Sequence, residues 1–105
     1  MCIRDSSYTV RCRFTNPAIA SRWLQWLKAE HIQDVLDAGA KAAEVYEMTD
    51  GELEYEIRYQ FESQDAFEKY NTEKAPALRE KGLEKFPLSL GLDYTRTTGK
   101  RVLSN

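Results

Sequence analysis

Glu52-Leu53-Glu54-Tyr55-Glu56-Ile57-Arg58-Tyr59-Gln60-Phe61 is the stretch whose reading decides the fold. Leu53, Tyr55, Ile57, Tyr59 and Phe61 alternate without a break with Glu52, Glu54, Glu56, Arg58 and Gln60. Side chains along a strand point to opposite faces with period two, so this is a strand with one apolar face and one charged face. Burying such side chains at ~1.5–3 kcal/mol each supplies on the order of 10 kcal/mol of gross driving force. That rivals the whole net stability of a small domain, so the rest of the chain must cover the apolar face.

Just upstream, Asp50-Gly51 is a hairpin signal, because both residues tolerate the positive φ of a tight turn. It joins the stretch to a strand over 42–49. A two-residue loop sets Tyr46 opposite Tyr55, Glu47 opposite Glu54 and Met48 opposite Leu53, which brings Tyr46 and Met48 onto the apolar face. A longer, bulged loop changes that pairing. Downstream, Ser63 caps a helix carrying Phe67 and Tyr70, and Pro76 opens a second helical piece running to about Lys85. Leu88, Leu90, Leu92 and Tyr94 then alternate with polar residues as a last strand, and the polar segment from Arg96 to Asn105 is expected to fray.

Towards the N-terminus, Tyr8, Val10, Cys12 and Phe14 alternate with Thr9, Arg11 and Arg13, a first strand of the same two-faced kind. Asn16-Pro17 starts a helix as cap and first residue. Ile19, Trp23, Leu27, His31 and Val35 come next at spacing four, and Gly39 is the stop. This is one helix, or two with a kink near Glu30-His31. The order is β-α-β-β-α-β. Two helices on one face of a four-stranded antiparallel sheet, in spatial order 4-1-3-2, is the ferredoxin-like α+β solution.

The chain of 105 residues is enough for one core without a disulfide or metal. Its net charge of −2 argues against a general nucleic-acid role. No apolar run has the length of a membrane span and no signal-peptide pattern is present, so the expected compartment is the cytoplasm. Cys2 and Cys12 form no metal spacing. Met1-Cys2-Ile3-Arg4-Asp5 reads back as codons matching the end of a transposase adapter used in sequencing libraries. Residues 1–6 are therefore read as a read-through scar, 7–98 as a single ferredoxin-like domain, and 99–105 as a flexible tail.

Trp23-x-x-Trp26…His31-Ile32-x-x-Val35-Leu36…Gly39, Tyr55…Tyr59 and Tyr70…Ala75-Pro76-x-Leu78-Arg79…Lys85-Phe86 resemble a family of short bacterial proteins known as a domain of unknown function. That family is similar in fold to the dimeric α+β barrel superfamily, which includes the antibiotic-biosynthesis monooxygenases. The resemblance implies a homodimer packed sheet to sheet, with ligands between sheet and helices or inside the shared barrel. It brings no reaction. Haem-degrading members use an asparagine on the first strand with a tryptophan and a histidine elsewhere. Here the first strand carries no asparagine and both tryptophans lie on the first helix, so haem degradation is not carried over.

His31, the sole histidine, is the candidate catalytic residue, since imidazole titrates near neutral pH; the plainer reading is a core histidine. Leu27 and Val35 flank it at helical spacing, so no metal site is expected. Trp23, Trp26, Tyr55 and Tyr59 are candidate ligand contacts, although aromatics at such spacing are commonly core. Arg11 and Arg58 belong to a charged sheet face with Arg13, Glu47, Glu54 and Glu56. That face is a solvated surface with weak ion pairs, or a covered one whose charges must be internally paired. The leading expectation is a small dimer binding an apolar or aromatic molecule, with no cofactor. The rivals are a cofactor-independent monooxygenase- or isomerase-like enzyme using His31, with Arg11 or Arg58 stabilising an oxyanion, and a dimeric adaptor.

Overall fold

The structure, a computed structural model, describes residues 6–102. Strands β1 (Ser6–Phe14), β2 (Ala42–Glu47), β3 (Glu54–Phe61) and β4 (Leu92–Lys100) form one sheet in the order β2-β3-β1-β4, with every neighbouring pair antiparallel. Helices α1 (Pro17–Trp26), α2 (Ile32–Asp37), α3 (Gln64–Glu73) and α4 (Ala75–Lys85) cover one face. This is the ferredoxin-like βαββαβ arrangement. Residues 1–5 of the expected scar, and 103–105 of the expected tail, lie outside the described residues. Ser6 itself is buried in β1 opposite Phe61.

The helix starts obey the local chemistry. Asn16 Oδ1 accepts from the Ala18 N–H at 2.9 Å ahead of Pro17, and Ser63 Oγ accepts from the Ala66 N–H at 3.0 Å. The first helix is neither plain nor broken. Leu27–His31 forms a π-helical turn that joins α1 directly to α2. The extra residue in that turn rotates α2 relative to the continuation of an ideal helix, yet Leu27 and Val35 are both fully packed.

The apolar faces of β1 and β3 meet in register: Tyr8 lies opposite Tyr59 and Val10 opposite Ile57. Phe61 packs edge-on to Phe67 at 5.3 Å and tilted on Tyr70 at 5.1 Å. Trp23, 1% exposed, sits edge-on to Phe14 at 5.1 Å and donates from Nε1 to the Tyr94 hydroxyl at 3.1 Å.

Three expectations are corrected. The β2–β3 loop is longer than two residues, and the register is Glu47 opposite Tyr55, Tyr46 opposite Glu56 and Val45 opposite Ile57. Leu53 adopts φ 53°, and its carbonyl accepts from the Phe14 N–H at 3.0 Å, which anchors the loop to β1 instead of closing a tight hairpin. A one-residue slip sends each side chain to the other face. Tyr46 therefore joins the charged face, and Glu47 leaves it. Second, Leu88–Leu90 is a short 3₁₀ turn, ended by Gly91 at φ 94°. That left-handed conformation, with Thr15 Oγ1 crowding the place of a Cβ, calls for glycine at this turn. Third, β4 begins only at Leu92 and continues through Arg96 to Lys100, where fraying was expected.

Phe61 is fully buried at the centre of the aromatic cluster. Phe61→Ala is expected to lower the unfolding free energy by about 3–5 kcal/mol, read from the urea midpoint. A loss below about 1 kcal/mol would show that this cluster is not the core.

Candidate functional site

The helix-side surface of β1, β3 and β4 and the inner faces of the helices do not close completely. They leave a cavity of about 50 Å³. Its wall includes Tyr8, Ile57 and Tyr59 from the central strands, Tyr94 and Arg96 from β4, Trp23, Trp26 and His31 from the first helix, and Arg79, Gly82 and Leu83 from α4. The volume holds a few waters and lies well below the ~300–1,000 Å³ of a drug-sized ligand site. Leu83, 44% exposed, and the exposed Arg96 stand among the wall residues where the cavity meets solvent.

The π turn shapes one wall. It ends at His31, whose ring stacks on Trp26 with centroids 4.5 Å apart and planes 21° from parallel. On the other side Trp26 presses on α4. A Cβ on Gly82 would come within 3.2 Å of Trp26 Cη2, so the mid-helix glycine is explained by this close approach.

Four buried side-chain polar atoms have no hydrogen-bond partner among the described residues: Trp26 Nε1, His31 Nδ1, Tyr59 Oη and Arg79 Nε. All four residues line this one cavity. Buried polar atoms are ordinarily satisfied, and leaving one unpaired costs ~1–3 kcal/mol. Burial pushes the His31 imidazole down to about 4, with Asp34 opposing and Lys81 adding to the shift, so the ring is neutral at pH 7. Burial raises the Tyr59 phenol well above its ordinary value and pushes Tyr70 and Tyr94 up to about 12. Cys12, fully buried beside Tyr94, is likewise pushed up to about 12 and is an inert thiol.

The structure divides the residues singled out from sequence. His31, Trp23, Trp26 and Tyr59 meet in the cavity wall. Tyr55 does not line it; its ring packs against Phe14 at 6.0 Å and Trp23 at 6.3 Å. Arg11 and Arg58 lie on the opposite, open face of the sheet, so they stand apart from His31. There Arg11 grips Glu54 through Nε at 2.8 Å and through Nη2, and Arg13 Nε donates to the other Glu54 oxygen at 2.7 Å. These bonds hold the Glu54 carboxyl below its ordinary range. Arg58 Nε donates to Glu56 at 2.6 Å while its guanidinium covers the Tyr46 ring at 4.0 Å. The cavity arginines are Arg79 and Arg96 instead. The packing of α4 brings the half-buried Arg79 to the wall, and the course of β4 sets the exposed Arg96 beside it on the helix side of the sheet. Among the described residues no His/Cys/Asp/Glu group could hold a metal, and no helix is long and apolar enough to cross a membrane.

A scan of family profiles matches residues 7–93 to DUF4286, described as a domain of unknown function. The chain belongs to that family. No curated protein matches it significantly. Solved structures show the same fold across nearly the full length. A dimeric ferredoxin-like protein from an uncultured marine organism is 14% identical, with TM-score 0.71 and 96% and 98% of the two chains covered. SnoaB, a cofactor-independent oxygenase from Streptomyces nogalater, is 9% identical, with TM-score 0.71 and 96% of each chain covered. The ActVA-Orf6 monooxygenase of Streptomyces coelicolor, solved with nanaomycin D, is 16% identical, with TM-score 0.63 and coverage of 95% and 91%.

The His31 shift has a stability consequence. Its folded value, about 4, lies below the ordinary 6.5, so between these the unfolded chain binds the extra proton. His31 thus contributes stability above pH 6.5 that is lost as the pH falls towards 4. His31→Phe should flatten this part of the melting-temperature profile relative to the parent. Identical profiles would show that His31 titrates as though exposed.

Proposed function

We propose that this DUF4286 protein is a homodimer that binds a small apolar or aromatic molecule in the cavity between its helices and its sheet. The observation that carries this reading is that the four residues with unpartnered buried polar atoms all line one aromatic cavity. Such atoms fix the orientation of a bound molecule, and the rings supply its apolar contact. The cavity is small, so a ligand of more than a few heavy atoms enters by displacing the exposed Leu83 side chain.

The open sheet face supports the dimer. Glu54 is only 7% exposed in the single chain and already bridges two arginines. Covering that face with a second copy leaves its carboxylates paired, which is the condition for burying charge without a large penalty. Proteins of this fold are described as dimeric, the marine protein among them.

His31 favours a second reading, a cofactor-independent enzyme of the monooxygenase or isomerase type. A neutral imidazole with an unpartnered Nδ1 in a cavity wall is placed to take a proton from a bound molecule. Arg11 and Arg58 have no part in that version, because the sheet stands between them and the cavity.

Native mass spectrometry tests the binding reading. The expected result is a dimer carrying a small organic adduct, with the adduct lost and the dimer kept in Gly82→Leu, which crowds Trp26. Arg58→Glu, which sets a carboxylate beside Glu56, is expected to weaken the dimer at least tenfold in sedimentation while the fold persists. A bare monomer at micromolar concentration would contradict both halves of the proposal.

A further inference from the structure

The chemistry of the cavity wall restricts what it can hold. No aspartate or glutamate lines it, whereas two arginines do. The two charged residues of the wall, Arg79 and Arg96, are thus both cationic. Arg79 reaches in from α4. Its Nη2 donates to Asn71 Oδ1 at 2.8 Å and to the Tyr8 hydroxyl at 3.3 Å, both neutral acceptors. Its Nε is buried with no acceptor. Arg96 stands opposite Val10 on β4, on the helix side of the sheet, with its guanidinium 5.0 Å from the Tyr94 ring centroid. Among the described residues neither guanidinium pairs with a carboxylate. Both line the same cavity, together with Tyr70.

The unpartnered atoms point the same way. Trp26 Nε1 and Arg79 Nε are donors only; Tyr59 Oη and neutral His31 Nδ1 can donate as well. A donor-rich wall is satisfied by an acceptor-only group, and a carboxylate is acceptor-only, carries the opposite charge and matches a guanidinium's planar fork. The stacked Trp26–His31 pair and the Tyr8–Tyr59 pair, 5.9 Å apart, offer flat faces beside it.

We infer that the cavity selects a small organic anion: a planar carboxylate about one ring in size, its oxygens held by Arg79 with Arg96 at the mouth and its ring against the aromatic wall. This rests on the cavity being a ligand site, and deepens that reading by assigning the ligand's charge and shape.

The test is an NMR titration of the full chain with benzoate and with benzamide, its neutral isostere, monitoring the indole N–H signals of Trp23 and Trp26. Benzoate is expected to shift the Trp26 signal and to bind at least tenfold more tightly than benzamide. Arg79→Met is expected to remove at least tenfold of the benzoate affinity and to cost benzamide much less. Arg96→Met, at an exposed position, provides the same comparison if Arg79→Met does not fold, with a smaller loss that added salt abolishes. Equal binding of the two probes would overturn the anion assignment and leave the cavity reading standing. Binding of neither would overturn both.

Discussion

Tyr8 against Tyr59 and Val10 against Ile57, across the two central strands, is the constraint on which the rest of the molecule depends. With that register fixed, period two sends five side chains of β1 and the apolar half of β3 to one side, and Arg11, Arg13, Glu54, Glu56 and Arg58 to the other. The apolar side demands a cover, which the helices provide. The charged side can carry ion pairs in register, because Arg11 lies opposite Glu56 and Arg13 opposite Glu54. One pairing decision thus separates a surface that can meet a second copy from a surface that can enclose a ligand.

The cover is imperfect in a specific way. A π turn in the first helix, a glycine in the middle of α4 and two tyrosines from adjacent strands meet at the same place. π turns are rare, and they occur disproportionately where a helix must present side chains to a site. Here the turn ends at His31 and starts next to Trp26, so it brings these two rings into their stack. Gly82 then admits the Trp26 ring against α4. Neither feature improves packing alone: the glycine weakens its helix by about 1 kcal/mol relative to alanine. Together they shape an aromatic wall whose residues carry four unpartnered buried polar atoms.

The architecture was legible in the sequence because the strongest local signals agreed with the global fold. The alternation in β1 and β3, the Asn16-Pro17 start and the Ser63 cap each mean one thing only. The hairpin register was not legible, because it depends on a contact between distant segments: the Phe14 N–H holding the Leu53 carbonyl. The last strand misled for a different reason. Leu88 and Leu90 continue the period of Leu92 and Tyr94, yet the reversal at Gly91 separates a turn from a strand. The site was half legible. His31, Trp23, Trp26 and Tyr59 were found through their chemical character. Arg79 and Arg96 were not, since only the packing of α4 and the course of β4 bring these two arginines to one cavity. Arg58 and Tyr59 are neighbours in a strand, so period two already placed them on opposite faces. Grouping Arg58 with the cavity residues depended on a ligand space inside a dimeric barrel.

The central claim is that the four unpartnered atoms of the helix–sheet cavity form one binding site. A crystal structure at a resolution that shows ordered solvent tests it most directly. Trp26 Nε1, His31 Nδ1, Tyr59 Oη and Arg79 Nε are predicted to bond to one continuous non-protein group in the cavity, a bound molecule or a chain of waters that a ligand displaces. A cavity collapsed by repacking, with these atoms satisfied by protein groups, would contradict the account.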